Sequence, residues 1–272
     1  SVNLVANDDS KVVSAAGAGT VALAGGSGSA TAVAVGAGLG LNIIVSDTVA
    51  TIEDATVDTA GLVTLDAKNN SEIDAFALGL AAAMASGVDG GTAGAGAGSA
   101  TANNITTNVE ASIVRSDVTA GSSVDLSATD GAKILGDAGG VALAVAGGTT
   151  VAIGASASEN LIISDVQAKI DASDVRAGSN VTLSSKSDAT IQALAVVGGV
   201  GISTGGLPVT GAGAQTSNVI TGSTESIITG GSDVFADAEG SVELTALDEN
   251  TIVSDAGGLS IGITLDGSGV VF

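Results

Sequence analysis

Acidic and amide side chains recur at one position of the sequence, a few residues after a Val-x-Leu motif. Stacked along a repeating fold, these turns would form a polar, mostly acidic ladder, and carboxylate and carbonyl oxygens are the ligands that Ca²⁺ prefers. The same residue types also make tight turns and solvated corners, and the sequence has no EF-hand loop and no Gly-Gly-x-Gly-x-Asp repeat. We therefore expect plain turns and no bound cofactor, with Ca²⁺ as the one alternative, at Asp8, Asp9, Asp130, Asp188, Asp248 and Glu249.

A second set of polar residues consists of four asparagines, each placed ten residues ahead of an isoleucine. Inward-facing asparagines can stack at the corners of a β-helix and pass amide hydrogen bonds from one coil to the next. We interpret this ladder as structural, with ligand binding as the alternative, at Asn42, Asn103, Asn160 and Asn218.

Catalytic side chains are scarce. The chain has no His and no Cys, which leaves only paired carboxylates or a Ser-Lys arrangement for acid-base or nucleophilic chemistry. The few lysines lie in or near predicted turns, and the chain lacks the aromatic and basic residues that line the clefts of β-helical glycosidases and lyases. We expect that the protein is not an enzyme.

The charge balance restricts the partners. Seven basic residues against 29 acidic ones give a net charge of −22, so nucleic acid and anionic membrane surfaces are disfavoured. With 45% hydrophobic residues the chain should fold, and its low aromatic content of 1% predicts a thin core of small side chains.

The elements that would position these residues are organised by an internal repeat of about 61 residues. Its marker is a Val-x-Leu motif that begins at Val2, Val63, Val124, Val181 and Val242, and each motif is followed ten residues later by another β-branched residue. Alternating apolar segments and Gly- or Asx-rich turns indicate strands. We predict an all-β fold, a parallel β-helix (β-solenoid), in which residues 1–272 form a single elongated array with repeats 2–62, 63–123, 124–180, 181–241 and a partial 242–272.

Spacing alone is compatible with two numbers of coils per repeat. Residues 113–134 contain the apolar positions and turns of one coil of about 20 residues, which favours three coils per repeat; one flattened coil of about 60 residues is the alternative. Because no unit looks like a polar terminal cap, we expect a fragment of a longer chain.

The run Val118–Ala128 with its copies, and the Gly/Ala/Val tracts that end in an asparagine, resemble the β-strand repeats of bacterial large exoproteins. These are adhesin repeats of the filamentous-haemagglutinin and fusobacterial-leukotoxin kind. The resemblance covers nearly the whole chain, although its motifs are low in complexity. It implies a right-handed β-helix that is secreted to the bacterial cell surface.

Long uncharged Gly/Ala tracts are the most unusual feature. Residues 12–46 and 189–224 carry no charge, and residues 75–109 contain only Asp89. These tracts form either a thin internal core or an outward face for subunit packing; they are too glycine-rich and β-alternating for a membrane-spanning helix. The residues that we single out for assembly are Ala142, Ala144, Gly94, Gly96 and Gly98.

Together these features predict an extracellular structural shaft, an adhesin stalk or a filament or sheath subunit, that self-associates end to end or laterally. The alternative is a surface-binding module for carbohydrate, mineral or ice. Such a module needs a flat face with a regular array of Thr or aromatic residues, whereas the threonines here fall irregularly.

Overall fold

The first repeat forms one complete coil. In the computed structural model, which describes residues 1–237 and 239–265, this coil contains four strands: β1 (Val2–Asp8), β2 (Lys11–Gly26), β3 (Ala30–Glu53) and β4 (Thr56–Thr59). The last residues of the partial fifth repeat, 266–272, lie outside the described part.

The later coils repeat this order. The second coil has β5 (Val63–Asn69), β6 (Glu72–Gly87), β7 (Gly91–Val114) and β8 (Asp117–Ala120). The third has β9 (Val124–Asp130), β10 (Lys133–Ala146), β11 (Thr150–Asp171) and β12 (Asp174–Ala177). The fourth and fifth contribute β13 (Val181–Ser187), β14 (Thr190–Ser203), β15 (Pro208–Thr229), β16 (Asp233–Ala236), β17 (Val242–Asp248) and β18 (Thr251–Thr264).

Equivalent strands of successive coils pair in parallel and form four sheets. Sheet A contains β1, β5, β9, β13 and β17, and sheet B contains β2, β6, β10, β14 and β18; sheets C and D have four strands each, headed by β3 and β4. The register aligns Val2, Val63, Val124, Val181 and Val242 in one column. This confirms the predicted parallel β-solenoid and the alignment of its Val-x-Leu motifs.

The favoured division of each repeat into three coils is wrong, because one repeat makes one wide coil. The Gly/Ala tracts do not break into turns: they run as uninterrupted strands such as β3, which has 24 residues. At about 3.3 Å per residue β3 spans about 80 Å, whereas five strands stacked at about 4.8 Å rise only about 19 Å. The long dimension therefore lies in the plane of the coil.

Each coil has a thick part and a thin part. In the thick part, which we call the base, sheets A and D and the second half of sheet C enclose a core of Val, Leu and Ile, including Val63, Leu65 and Ile113. In the thin part, which we call the fin, sheet B lies directly on the first half of sheet C; the fin comprises residues 15–41 of the first coil and their equivalents. A cluster of isoleucines, Ile73, Ile105, Ile134, Ile162 and Ile191, lies where the two parts meet.

The interior of the fin is built almost entirely from alanine and glycine. Inward positions such as Ala83, Ala93, Ala142 and Ala144 are fully buried. The two backbones come so close that a Cβ added to Gly79 would overlap the carbonyl oxygen of Gly98. Only the smallest residues fit between sheets at this separation, which is below the usual 10 Å or so. Among the described residues, no helix is long and apolar enough to cross a membrane.

Candidate functional surfaces

The four asparagines form a continuous hydrogen-bonded ladder through the coils. The Asn42 Nδ2 donates to Asn103 Oδ1 at 2.8 Å, Asn103 Nδ2 donates to Asn160 Oδ1 at 2.8 Å, and Asn160 Nδ2 donates to Asn218 Oδ1 at 2.7 Å. Asn42, Asn103 and Asn160 are buried. Each amide therefore satisfies its neighbour inside the protein, which is the arrangement needed to hold stacked coils in register.

The sequence predicted that this ladder lies at a corner of the coil. It lies instead in the middle of the sheet C strands. Its inward-pointing amides face Gly136 of sheet B, where an added Cβ would lie 2.9 Å from Ser158 Oγ and 3.0 Å from Asn103 Nδ2. On one side the ladder adjoins the isoleucine cluster, and on the other the alanine core of the fin begins. It thus marks the boundary between fin and base, and leaves no room for a ligand beside Asn160 at this point.

The acidic residues that follow the Val-x-Leu motifs divide between two columns. One column points into the protein and contains Asp8, Asn69, Asp130, Ser187 and Asp248. Asp9, Asp188 and Glu249 belong to the adjacent turn, where Lys186 Nζ lies 3.4 Å from Asp188 Oδ2 and 3.0 Å from Glu249 Oε2. The six acidic residues therefore do not share one site.

Within the described residues, no group of three or more acidic side chains is placed to hold a metal ion. The inward column separates Asp8 from Asp130 by Asn69, and Asp130 from Asp248 by Ser187. Where two acidic residues are adjacent, Lys186 already neutralises part of their charge. Binding of Ca²⁺ by these turns stays a prediction.

Asp130 is the most unusual of the six because its carboxyl group is fully buried. It accepts hydrogen bonds from Asn69 Nδ2 and, at 2.6 Å, from Ser164 Oγ. Loss of solvent raises the pKa of Asp130 above its ordinary value, and the hydrogen bonds from Ser164 and Asn69 offset this shift only in part. Burial of the ionised Asp130 carboxylate at neutral pH therefore destabilises the folded state.

Replacing Asp130 by Asn is expected to stabilise the protein at neutral pH and to reduce the pH dependence of its stability. Because the folded-state pKa of Asp130 is raised, this group favours the folded state below its unfolded pKa of about 3.9 and loses that contribution as the pH rises through the folded value. The melting temperature of Asp130→Asn should exceed that of the parent by a few degrees at pH 7, and the gap should narrow towards pH 4.

The matched control is Asp125→Asn on the same strand, whose side chain points outward. It should leave the melting temperature nearly unchanged at every pH. A gap for Asp130→Asn that stays constant from pH 4 to 8 would contradict the assignment of the pH dependence to Asp130.

The residues singled out for assembly divide between the interior of the fin and its outer surface. Ala142 and Ala144 are fully buried between sheets B and C, so in this fold they pack the interior of the coil. Gly94, Gly96 and Gly98 point outward from sheet C and are partly exposed.

The scan against protein-family models, the search of curated proteins and the search of solved structures each find no match.

Sequence reasoning missed the most exposed apolar residues. On the outside of sheet C, Val35, Leu39 and Leu41 are 67%, 75% and 74% exposed, and on sheet B Leu23 is 72% exposed. The available signal was the large-small alternation of the tracts, in which every second residue is Ala or Gly. Read with the small residues inward, that alternation places Val and Leu on both outer faces of the fin.

Proposed function

We propose that the chain is a structural module of an extracellular β-solenoid shaft, such as an adhesin stalk or a filament or sheath subunit of a bacterial surface, with no catalytic role. The observation that carries this proposal is the register between coils. Among the described residues, sheets A and B continue through five coils and sheets C and D through four with the same pairing, although the repeats differ in length by up to four residues.

The columns of the base keep one type of side chain from coil to coil. The column that begins at Val2 contains only Val, and the column two residues later contains only Leu. Length differences are absorbed at the tip of the fin, where β10 and β11 have 14 and 22 residues against 16 and 24 in β6 and β7. A fold of this kind accepts additional coils because each coil contacts only its neighbours.

The fifth coil supports continued stacking. Val181 and Leu183 in the fourth coil are fully buried, whereas their counterparts Val242 and Leu244 are 41% and 43% exposed. The next coil in the same register would cover these side chains and pair the open edge of β17. An exposed strand edge that carries apolar residues is otherwise a site of aggregation.

Three features support an extracellular location: the charge of −22, the absence of Cys and the resemblance to exoprotein repeats. A strongly acidic surface keeps an apolar repeat protein in solution. The surface-binding alternative gains no support from the described outer faces, because their columns mix Val, Leu, Ala and Gly and show no aligned array of Thr or aromatic residues.

Duplicating one repeat tests the shaft proposal. A variant in which residues 124–180 are followed by a second copy of themselves should fold with one more coil, about 4.8 Å higher, and with a melting temperature equal to or above that of the parent. Small-angle scattering measures the added height, and circular dichroism measures the β-sheet content and the melting temperature.

The matched control duplicates only residues 124–150, which inserts part of a coil and shifts every later strand out of register. This variant should lose stability. If the complete extra repeat destabilises the protein as much as the partial one, the coils are not interchangeable and the shaft proposal is wrong.

A further inference from the structure

The outer face of sheet B in the fin carries a continuous apolar patch, which is bordered towards the base by Asp137 and Asp255. Four outward positions on each of its five strands carry only Gly, Ala, Val, Leu, Ile or Met, from Gly17 to Leu23 on β2 and at the paired positions of β6, β10, β14 and β18. Extended apolar surfaces of this kind are rare on monomeric proteins and mark interaction sites. The outer face of sheet C opposite is also apolar near the tip.

The two faces have complementary relief. On sheet B, Leu78 and Leu80 of the second coil form a ridge, and beside it Gly17 and Gly19 of the first coil form a hollow. No heavy atom lies within 4 Å of a Cβ added to Gly19, so the hollow is open.

On sheet C the relief is reversed. Val33 and Val35 of the first coil form a ridge, and Gly94, Gly96 and Gly98 of the second coil form a trough. A second ridge, formed by Val151 and Ile153 of the third coil, borders the trough on its other side.

In the second coil, the ridge on sheet B and the trough on sheet C lie at the same place on opposite faces of the fin. A Cβ added to Gly79, which lies between Leu78 and Leu80, would overlap the carbonyl oxygen of Gly98. A second copy displaced perpendicular to the fin would therefore bring the Leu78–Leu80 ridge of one molecule over the Gly96–Gly98 trough of the next. The same displacement brings the Val35 ridge over the Gly17–Gly19 hollow.

We propose that fins of separate copies stack face to face, with sheet B of one copy seated on sheet C of the next. The contact is heterologous, so each copy offers an unused face and the stack grows as an open array. It involves the sides of the solenoid and does not require extension by further coils, so it stands apart from the shaft proposal.

The size of the contact is sufficient for a specific but modest interaction. Four outward positions extend about 27 Å along a strand, and four paired strands about 19 Å across, which gives about 500 Å² per face and about 1,000 Å² buried per contact. Each inner member of a stack buries both faces, which doubles the area per molecule.

Charge favours another fin over a lipid bilayer as the occupant. The tip of the fin bears Asp89, Ser27 and Ser29, and its glycine-rich turns expose backbone groups that would lack hydrogen-bond partners in hydrocarbon. The net charge of −22 repels anionic lipid. In a stack these polar tips stay in water while the apolar faces cover each other, and added salt strengthens the contact by screening the remaining repulsion.

The test uses the full chain and Gly96→Leu, which fills the trough. A Cβ at Gly96 would lie 3.8 Å from Val35 Cγ2, an ordinary contact, so the variant should fold. The matched control is Gly257→Leu on β18. Gly257 is a similarly open glycine of sheet B, but it belongs to the fifth strand, which has no sheet C counterpart among the described residues.

Sedimentation velocity should show concentration-dependent association of the parent that increases between 0.05 and 0.5 M NaCl. Gly96→Leu should weaken this association at least tenfold, and Gly257→Leu should leave it within twofold of the parent, with unchanged circular dichroism for both. In the double variant Leu80→Gly/Gly96→Leu, exchange of ridge and trough should restore association.

Four outcomes would overturn the proposal. A parent that remains monomeric at every salt concentration has no such contact, and equal losses in Gly96→Leu and Gly257→Leu would indicate nonspecific adhesion or pairing of two sheet B faces. Failure of the double variant to associate would exclude the ridge-and-trough fit. Flotation of a monomeric parent with phosphatidylcholine vesicles would identify lipid as the occupant.

Discussion

Replacing Ala142 by Asp is expected to unfold the fin and to lower the free energy of unfolding by roughly 3–5 kcal/mol. The Ala142 side chain is fully buried between two sheets that are lined by alanine and glycine. That interior offers a carboxylate neither water nor a cation. Urea unfolding followed by circular dichroism would measure the loss, and Ala144→Asp should behave in the same way.

The control is Val141→Asp, one residue earlier on the same strand. Val141 points outward and is 47% exposed, so an aspartate there stays in water and should change the free energy of unfolding by less than about 1 kcal/mol. If Ala142→Asp were as stable as Val141→Asp, the assignment of inner and outer faces in the fin would be reversed.

Breaking the asparagine ladder should have the second largest effect. Asn103→Leu conserves the approximate volume of the side chain but leaves the Asn42 amide without an acceptor and the Asn160 carbonyl without a donor, both of them buried. With about 1–3 kcal/mol for each unsatisfied group, we expect a loss of about 2–5 kcal/mol in the free energy of unfolding.

The neighbouring Asn104 provides the comparison because its side chain lies on the outer face of sheet C. Asn104→Leu should leave the free energy of unfolding unchanged or raise it, because Asn104 Oδ1 has no hydrogen-bond partner to lose. Asn103→Asp gives an intermediate case, since a carboxylate can accept from Asn42 but cannot donate to Asn160. A loss for Asn103→Leu no larger than that for Asn104→Leu would show that the ladder does not stabilise the coils.

The register of the solenoid could be predicted from the sequence because it depends on a motif of distinct residue types that recurs in every repeat. Val63 and Leu65 are separated from their counterparts by one repeat length, and both face a crowded core that accepts only one side-chain shape. A slip of one residue would turn both side chains out to solvent. Repetition in the sequence therefore suffices to predict which residues stack.

The width of the coil could not be predicted because glycine has two structural roles with one sequence signature. At Gly121 and Gly178 it lies in a turn, whereas at Gly36 and Gly79 it lies within a long strand where another backbone passes very close. The spacing of turns suggested coils of about 20 residues. Only the pairing of whole strands shows that the tracts run straight.

The sequence also could not predict which residues of the alternating tracts point inward. In Val141 to Ala146, large and small apolar residues alternate, and hydropathy would place the large ones inside. The approach of sheets B and C leaves space mainly for small side chains, so Val141, Leu143 and Val145 point outward. The buried carboxyl of Asp130 was also unforeseen, because an aspartate beside a glycine reads as an exposed turn.

The width of the coil also determines how a shaft made from it would carry a load. The stiffness of a plate in its own plane exceeds that across its faces by the square of the ratio of width to thickness. The fin, with about 12 residues per strand, is about 40 Å wide and about 10 Å thick, and it would resist edgewise bending about 16 times more than bending across its faces. A surface appendage of this cross-section behaves as a ribbon, which curls readily in one direction and keeps its edges straight in the other.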